Sequence, residues 1–353
     1  MADVRPSASD RAACRQAIRI AFAAALAFAV AELAGWEFSF LAPMLAVQLL
    51  VAMPTAPGFR QGIALPLVIL AATSCALAIS TIFSLTPVIL LALVSLVICW
   101  SFYGQRRGAP GAVMLLIQIA FCCVPVIATI SFDLASLFMT SLLLASITAV
   151  VTVWLAYLFI PPPRHAAALP RQSPPGHEPA MAARIAISDT LVLLPVLIAF
   201  IARGDINNIV ILMITLNLLR AVEPEGSGKI AVAIILGNVF GGVVAVLVYQ
   251  LVILAGSFTF FILIVLATGL LFGERIVRGG AAAPVFAIAF ATFLLILGLG
   301  ISPLPSGSEE LLLIRIVKIL VASAYTIGAL SLVMRLRHSS RLPASPATKA
   351  SAA

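Results

Sequence analysis

The run LLLIRIVKIL, residues 311–320, sets Arg315 and Lys318 three positions apart in an otherwise unbroken apolar stretch. At helical spacing they share a face, roughly 8 and 12 Å along the axis from Glu310. Such a pair suits an organic carboxylate, which a planar guanidinium grips through two parallel hydrogen bonds. The competing reading is that both snorkel to a membrane surface, because 310–335 is longer than a hydrocarbon layer requires. Two carboxylates suggest a second chemistry. Asp189 stands about a turn into an apolar run that opens near residue 185, and Glu32 stands late in the first such run. Carboxylates inside a bilayer are candidates for proton coupling, although Asp189 near a helix start would also complement the helix dipole, and Glu32 near the outer headgroups would be solvated. Two amides, Gln48 and Asn217, lie deep in apolar runs, where they either line a path or bond between helices.

Enzyme chemistry finds no support. There is no HExxH, GxSxG or phosphate-binding loop, and His165, His177 and His338 all fall in polar segments. Cys122 and Cys123 are adjacent in an apolar run and read as small buried hydrophobes. No cofactor or metal is expected.

The elements that must position these residues are set by composition. Of 353 residues, 63% are hydrophobic and 10% charged, with mean hydropathy +1.19; soluble domains have roughly 45–50% and about 25%. The chain reads as a polytopic membrane protein, all-α, with about twelve transmembrane helices. They fall near 17–35, 38–53, 62–79, 86–103, 110–130, 134–160, 185–202, 206–221, 230–253, 257–273, 281–301 and 310–335. Prolines 43, 66, 87 and 284 sit in or near first turns, whereas Pro125 and Pro195 fall mid-span and should kink their helices. The apolar stretch after Arg19 is expected to be the first span rather than a cleaved signal, because its basic leader is long and it has a counterpart later in the chain.

Charge sets the orientation. With the N-terminus in the cytoplasm, 18 of 21 Lys and Arg fall in inside segments. Only Arg203 lies in an outside loop, and the remaining two are Arg315 and Lys318. Both termini are therefore expected to be cytoplasmic. This asymmetry accounts for the net charge of +8 without a nucleic-acid partner.

The chain also repeats itself at an offset of 169 residues: Arg15 with Arg184, Gly35 with Gly204, Gln48 with Asn217, Arg60 with Lys229, Gly104 with Gly273 and Arg106 with Arg275. Six spans per repeat is an even number, which gives two same-orientation six-helix halves related by an axis along the membrane normal. The expected organisation is a cytoplasmic segment 1–16, a first repeat 17–160, a cytoplasmic linker 161–184, a second repeat 185–335 and a cytoplasmic tail 336–353. Outside loops are too short to bridge a periplasm.

The stretch PEGSGKIAVAIILGNVFGGVVAVLV, 224–248, resembles the hallmark of the fusaric acid resistance and aromatic acid exporter family. There, a Pro/Gly turn and a basic residue precede a helix with a Gly-polar-x-x-Gly step, a pattern carried here by Lys229, Gly237, Asn238 and Gly241. Val68 and Ala72 stand at the positions equivalent to the two glycines in the first half, and no cytosolic domain follows either half, so the resemblance is to a compact branch. It implies a multi-pass bacterial inner-membrane efflux component, driven by the proton gradient, that exports aromatic carboxylic acids or other amphiphilic weak acids. It also implies a periplasmic membrane-fusion adaptor and an outer-membrane channel as partners, and a homo-oligomer is compatible with it. A passive organic-anion channel and a non-transporting assembly subunit are the competing readings. Gly237 with Gly241, and Gly269 with Gly273, form GxxxG steps whose expected role is close helix packing.

Overall fold

The computed structural model describes residues 8–53, 55–162, 177–203, 209–221 and 228–301, together with Val321, Ala324, Tyr325, Gly328 and Ala329. Among the described residues there is no strand. The helices are α1 Ala8–Leu33, α2 Leu41–Ala52, α3 Phe59–Ile82, α4 Pro87–Arg106, α5 Gly111–Ile130, α6 Phe132–Phe159, α7 Pro179–Arg203, α8 Ile209–Ala221, α9 Gly228–Ala255, α10 Phe258–Arg278 and α11 Ala283–Ile301. Backbone polar groups have no water to turn to in hydrocarbon, and an α-helix satisfies them within the segment. Nine of the described helices are long and apolar enough to cross a bilayer. The expected helix at 310–335, the tail and most of the linker lie outside the described residues.

Three boundaries differ from the sequence expectation for physical reasons. Helix α1 starts at Ala8 and α7 at Pro179, well before residues 17 and 185. Hydropathy marks where a helix enters hydrocarbon, whereas its hydrogen-bond ladder continues into the headgroup layer. Residues 179–184, expected in the linker, are therefore helical. Pro66 lies inside α3 because that helix begins at Phe59, so it joins Pro125 and Pro195 as an interior proline. Positive φ at Gly35 (66°) and Gly108 (92°) ends α1 and α4 in the left-handed conformation that side-chain-bearing residues avoid.

A larger correction concerns α2, which was expected to be a full span. With 12 residues it is about 18 Å long, short of a hydrocarbon core of roughly 30 Å. Nine of the twelve residues of α2 are buried, which makes it a central helix. Phe38, Ser39 and Phe40, just before it, are buried in the turn. Apolarity at 38–40 thus reports burial among other helices, a state that hydropathy does not separate from exposure to lipid.

Helix pairing follows the 169-residue offset. Shifted by that amount, the bounds of α1 to α5 become 177–202, 210–221, 228–251, 256–275 and 280–299, each within a few residues of α7 to α11. Contacts shift the same way. Helix α1 lies along α10 and α4 lies along α7; α3 packs on α5 and α9 on α11; α2 touches α11 and α8 touches α5. Exchanging each helix with its counterpart returns a pair that is also in contact.

Small residues set the closest approaches. A methyl group on Gly269 would come within 2.9 Å of the Ala21 Cα, and one on Gly273 within 2.9 Å of the Ala17 carbonyl oxygen, so α10 is seated against the alanine face of α1. Between α9 and α11, Gly237 faces Val285 and Gly241 faces the Ala289 carbonyl. The Thr292 hydroxyl donates to Asn238 Oδ1 beside them. Lipid tails are as apolar as leucine, so such interfaces are held by close van der Waals packing and interhelical hydrogen bonds. Gly241→Ala drives a methyl into the α11 backbone and should cost about 1–3 kcal/mol, read as a lower Tm in detergent. Gly58→Ala, where nothing lies within 4 Å of the added carbon, should cost less than about 1 kcal/mol, the loss of a favoured N-cap residue of α3.

Candidate functional site

The polar side chains buried at the end of α4 build a cluster from both halves of the chain. Arg106 is the last residue of α4, where a cation complements the negative helix end. Its side chain is 8% exposed and its Nη2 donates to Asp189 Oδ2 of α7 at 2.9 Å and to the Leu219 carbonyl of α8 at 3.2 Å. Next to it, Gln105 Oε1 accepts from Arg220 Nε of α8 and from Gln118 Nε2 of α5, both at 3.3 Å. Arg220 Nη2 donates to the Gly111 carbonyl at the start of α5 at 2.9 Å. The two guanidiniums lie close enough to repel.

Two cations and one carboxylate leave this cluster with an excess of positive charge. Among the described residues, Arg220 meets an amide and a carbonyl and no carboxylate. Gln118 is fully buried and its Oε1 has no hydrogen-bond partner. The cluster is therefore equipped to accept an anion and, through Gln118, a donor. The chain reaches it through a defined turn: after Arg106, the left-handed Gly108 reverses direction and Ala109 N–H returns to the Gly104 carbonyl at 3.0 Å. His177, just ahead of α7, docks on the same turn, its N–H donating to the Arg106 carbonyl at 3.0 Å.

The residues singled out from sequence separate. Asp189 is the eleventh residue of α7, three turns inside, because the helix begins early. It does not stand at a helix start, and it is paired with Arg106. Glu32 lies in the last turn of α1, where the dipole disfavours a negative charge; its carboxyl group faces the Ser39 hydroxyl of the following turn. Gln48 and Asn217 are half-buried on α2 and α8, and neither bonds to a described residue. Gly237, Gly241, Gly269 and Gly273 are packing positions. Arg315 and Lys318 lie outside the described residues. Cys122 and Cys123 are fully buried, free thiols.

Sequence reasoning passed over Arg106 and Arg220 by counting them as inside charges. The signal was Gln118, the one amide within the apolar run 110–130, which called for a polar partner at its depth.

Fold and composition together define a multi-pass, all-helical membrane protein. Residues 16–156, from α1 to near the end of α6, match the family model described as "Protein of unknown function (DUF2955)". Curated proteins and solved structures give no match.

Removing one partner from a buried ion pair strands the other charge at a cost of about 3–5 kcal/mol. Arg106→Met or Asp189→Leu alone should destabilise by that order. The double variant should recover most of it, as a double-mutant cycle in detergent would measure.

Proposed function

We propose that the chain is a transport component of the bacterial inner membrane that exports aromatic carboxylic acids or related amphiphilic weak acids. In this reading it consists of two same-orientation halves of six helices with both termini in the cytoplasm. The observation that carries it is the short central helix α2, with α8 at the corresponding position of the repeat. In duplicated transporters, short hydrophobic segments at matching positions point to the substrate site at the repeat interface. Each of these two bears one amide, Gln48 and Asn217, without a bond to a described residue.

The cationic cluster of Arg106 and Arg220 is the natural receiver of a carboxylate at the end of the bundle assigned to the cytoplasm. Glu32, near the opposite end and in a position that disfavours negative charge, is the group offered for proton coupling. Arg315 and Lys318 keep the anion-binding role that their spacing suggests. The resemblance of 224–248 to the exporter family supports the substrate class, and the short outside loops support a periplasmic adaptor and an outer-membrane channel as partners.

The test is efflux of labelled aromatic acids from energised cells that co-express the adaptor, with membrane levels matched. A neutral hydrogen bond to the substrate is worth about 0.5–1.5 kcal/mol, so Gln48→Ala/Asn217→Ala should slow efflux roughly fivefold or more. An uncoupler should abolish concentrative export. Downhill flux that ignores the uncoupler would replace the pump with a channel. Retention equal to vector-only cells would remove transport of these acids altogether.

A further inference from the structure

We propose that Arg15 and Arg19 form a binding site for a phosphate oxyanion, supplied by the headgroup of an anionic lipid. The site lies away from the Arg106 cluster, where α1 passes the ends of α2 and α6. Arg19 is 3% exposed. Its Nε donates to the Ile160 carbonyl at 2.8 Å and its Nη1 to Gln16 Oε1 at 2.9 Å. Its guanidinium carbon stands 4.4 Å from the centroid of the Tyr157 ring. Nη2 is buried and has no hydrogen-bond partner.

Helix capping explains part of this arrangement. Arg15 Nη1 donates to the Pro161 carbonyl at 3.1 Å, Gln16 Nε2 to the Leu50 carbonyl at 2.9 Å and Tyr157 Oη to the Met53 carbonyl at 3.3 Å. These carbonyls belong to the ends of α6 and α2, each carrying about half a negative charge. Two helix ends therefore offset about one of the two cations. Among the described residues no carboxylate pairs with either arginine, so roughly one positive charge and the Nη2 donor remain uncompensated. Tyr157 covers one face of the guanidinium, Nε and Nη1 are taken by Ile160 and Gln16, and Nη2 is the in-plane donor left for an oxyanion.

Depth points to a lipid source. Trp154 stacks on Phe59 and donates to the Pro57 carbonyl at 2.8 Å, the placement of an interfacial aromatic anchor. Arg15, a turn before Arg19 on the same helix face and exposed, is the side chain a headgroup meets first. Basic pockets between helices at the cytoplasmic surface take anionic headgroups. The leaflet assignment rests on the proposed orientation, whereas the site itself needs no transport activity.

The purified chain in nanodiscs of phosphatidylcholine, alone or mixed equally with phosphatidylglycerol, should show a higher Tm in the mixture. Native mass spectrometry should find phosphatidylglycerol retained in preference to phosphatidylcholine. An arginine near the surface is worth about 1 kcal/mol toward an anionic lipid, roughly fivefold. Arg15→Gln and Arg19→Gln should each reduce the preference by that factor, and Arg19→Lys should fall between Arg19→Gln and wild type. Arg278→Gln, which removes an exposed cation paired with Glu274, should leave it unchanged. Inorganic phosphate that stabilises the chain in phosphatidylcholine alone, with the same arginine dependence, would uphold the oxyanion site and assign it a soluble source. The proposal falls if wild type shows no preference, or if Arg278→Gln lowers it as much as Arg15→Gln does. If Arg19→Gln does not fold, Arg15→Gln and wild type decide the matter.

Discussion

Inside hydrocarbon a charged or hydrogen-bonding group has no water to fall back on, and every such group in this bundle is placed under that constraint. Arg106 illustrates the result: one of its nitrogens reaches across two helix boundaries, to Asp189 of α7 and the Leu219 carbonyl of α8. Position along the chain does not matter to this requirement, and so residues more than eighty apart in sequence meet. Hydroxyls answer the same demand locally. Thr73, Ser80 and Thr268 return their protons to carbonyls one turn back, at Ile69, Ala76 and Ile264. Among the described residues, Arg19 Nη2 and Gln118 Oε1 are buried without a hydrogen-bond partner, and both lie in the polar clusters described above.

The carbon framework obeys a different rule. Because lipid competes on equal terms with leucine, helices adhere where small residues let their backbones come close. The alanine-rich run of α1 reads as undistinguished hydrophobicity, yet Ala17 and Ala21 are what allow Gly273 and Gly269 of α10 to approach. The same device joins α9 to α11 around Asn238 and Thr292. Both seams involve the second half of the chain; in the first half Val68 and Ala72 match the glycines of α9, and Trp100 and Gly104 match those of α10.

Much of the architecture is legible in the sequence because helix length, apolar content and turn residues all express one physical requirement, the crossing of a layer of fixed thickness. The positions of α3 to α6 and α9 to α11 follow from it closely. What the sequence hides is the distinction between facing lipid and facing other helices, which is why α2 reads as a full span. The candidate site was only half legible for a related reason. Asp189 could be named from its type, but its partner Arg106 sits at a helix end, where a cation already has an ordinary explanation in membrane topology. Helix ends are also where hydropathy is least informative. The early start of α7 changed Asp189 from a dipole-complementing residue into an interior one.

The two halves meet most extensively along α1–α10 and along α4–α7, and these two meetings are chemically unlike. The first is a seam of carbon against carbon, drawn in by glycine and alanine. The second carries the Arg106–Asp189 pair, where the first has Arg275 and Ile20 at the equivalent positions. A molecule that inherits near-symmetry in its chain path thus has unequal sides. One side is joined by close packing of small residues and the other also carries a buried ion pair, so the two sides answer differently to an anion that competes for the Arg106 guanidinium.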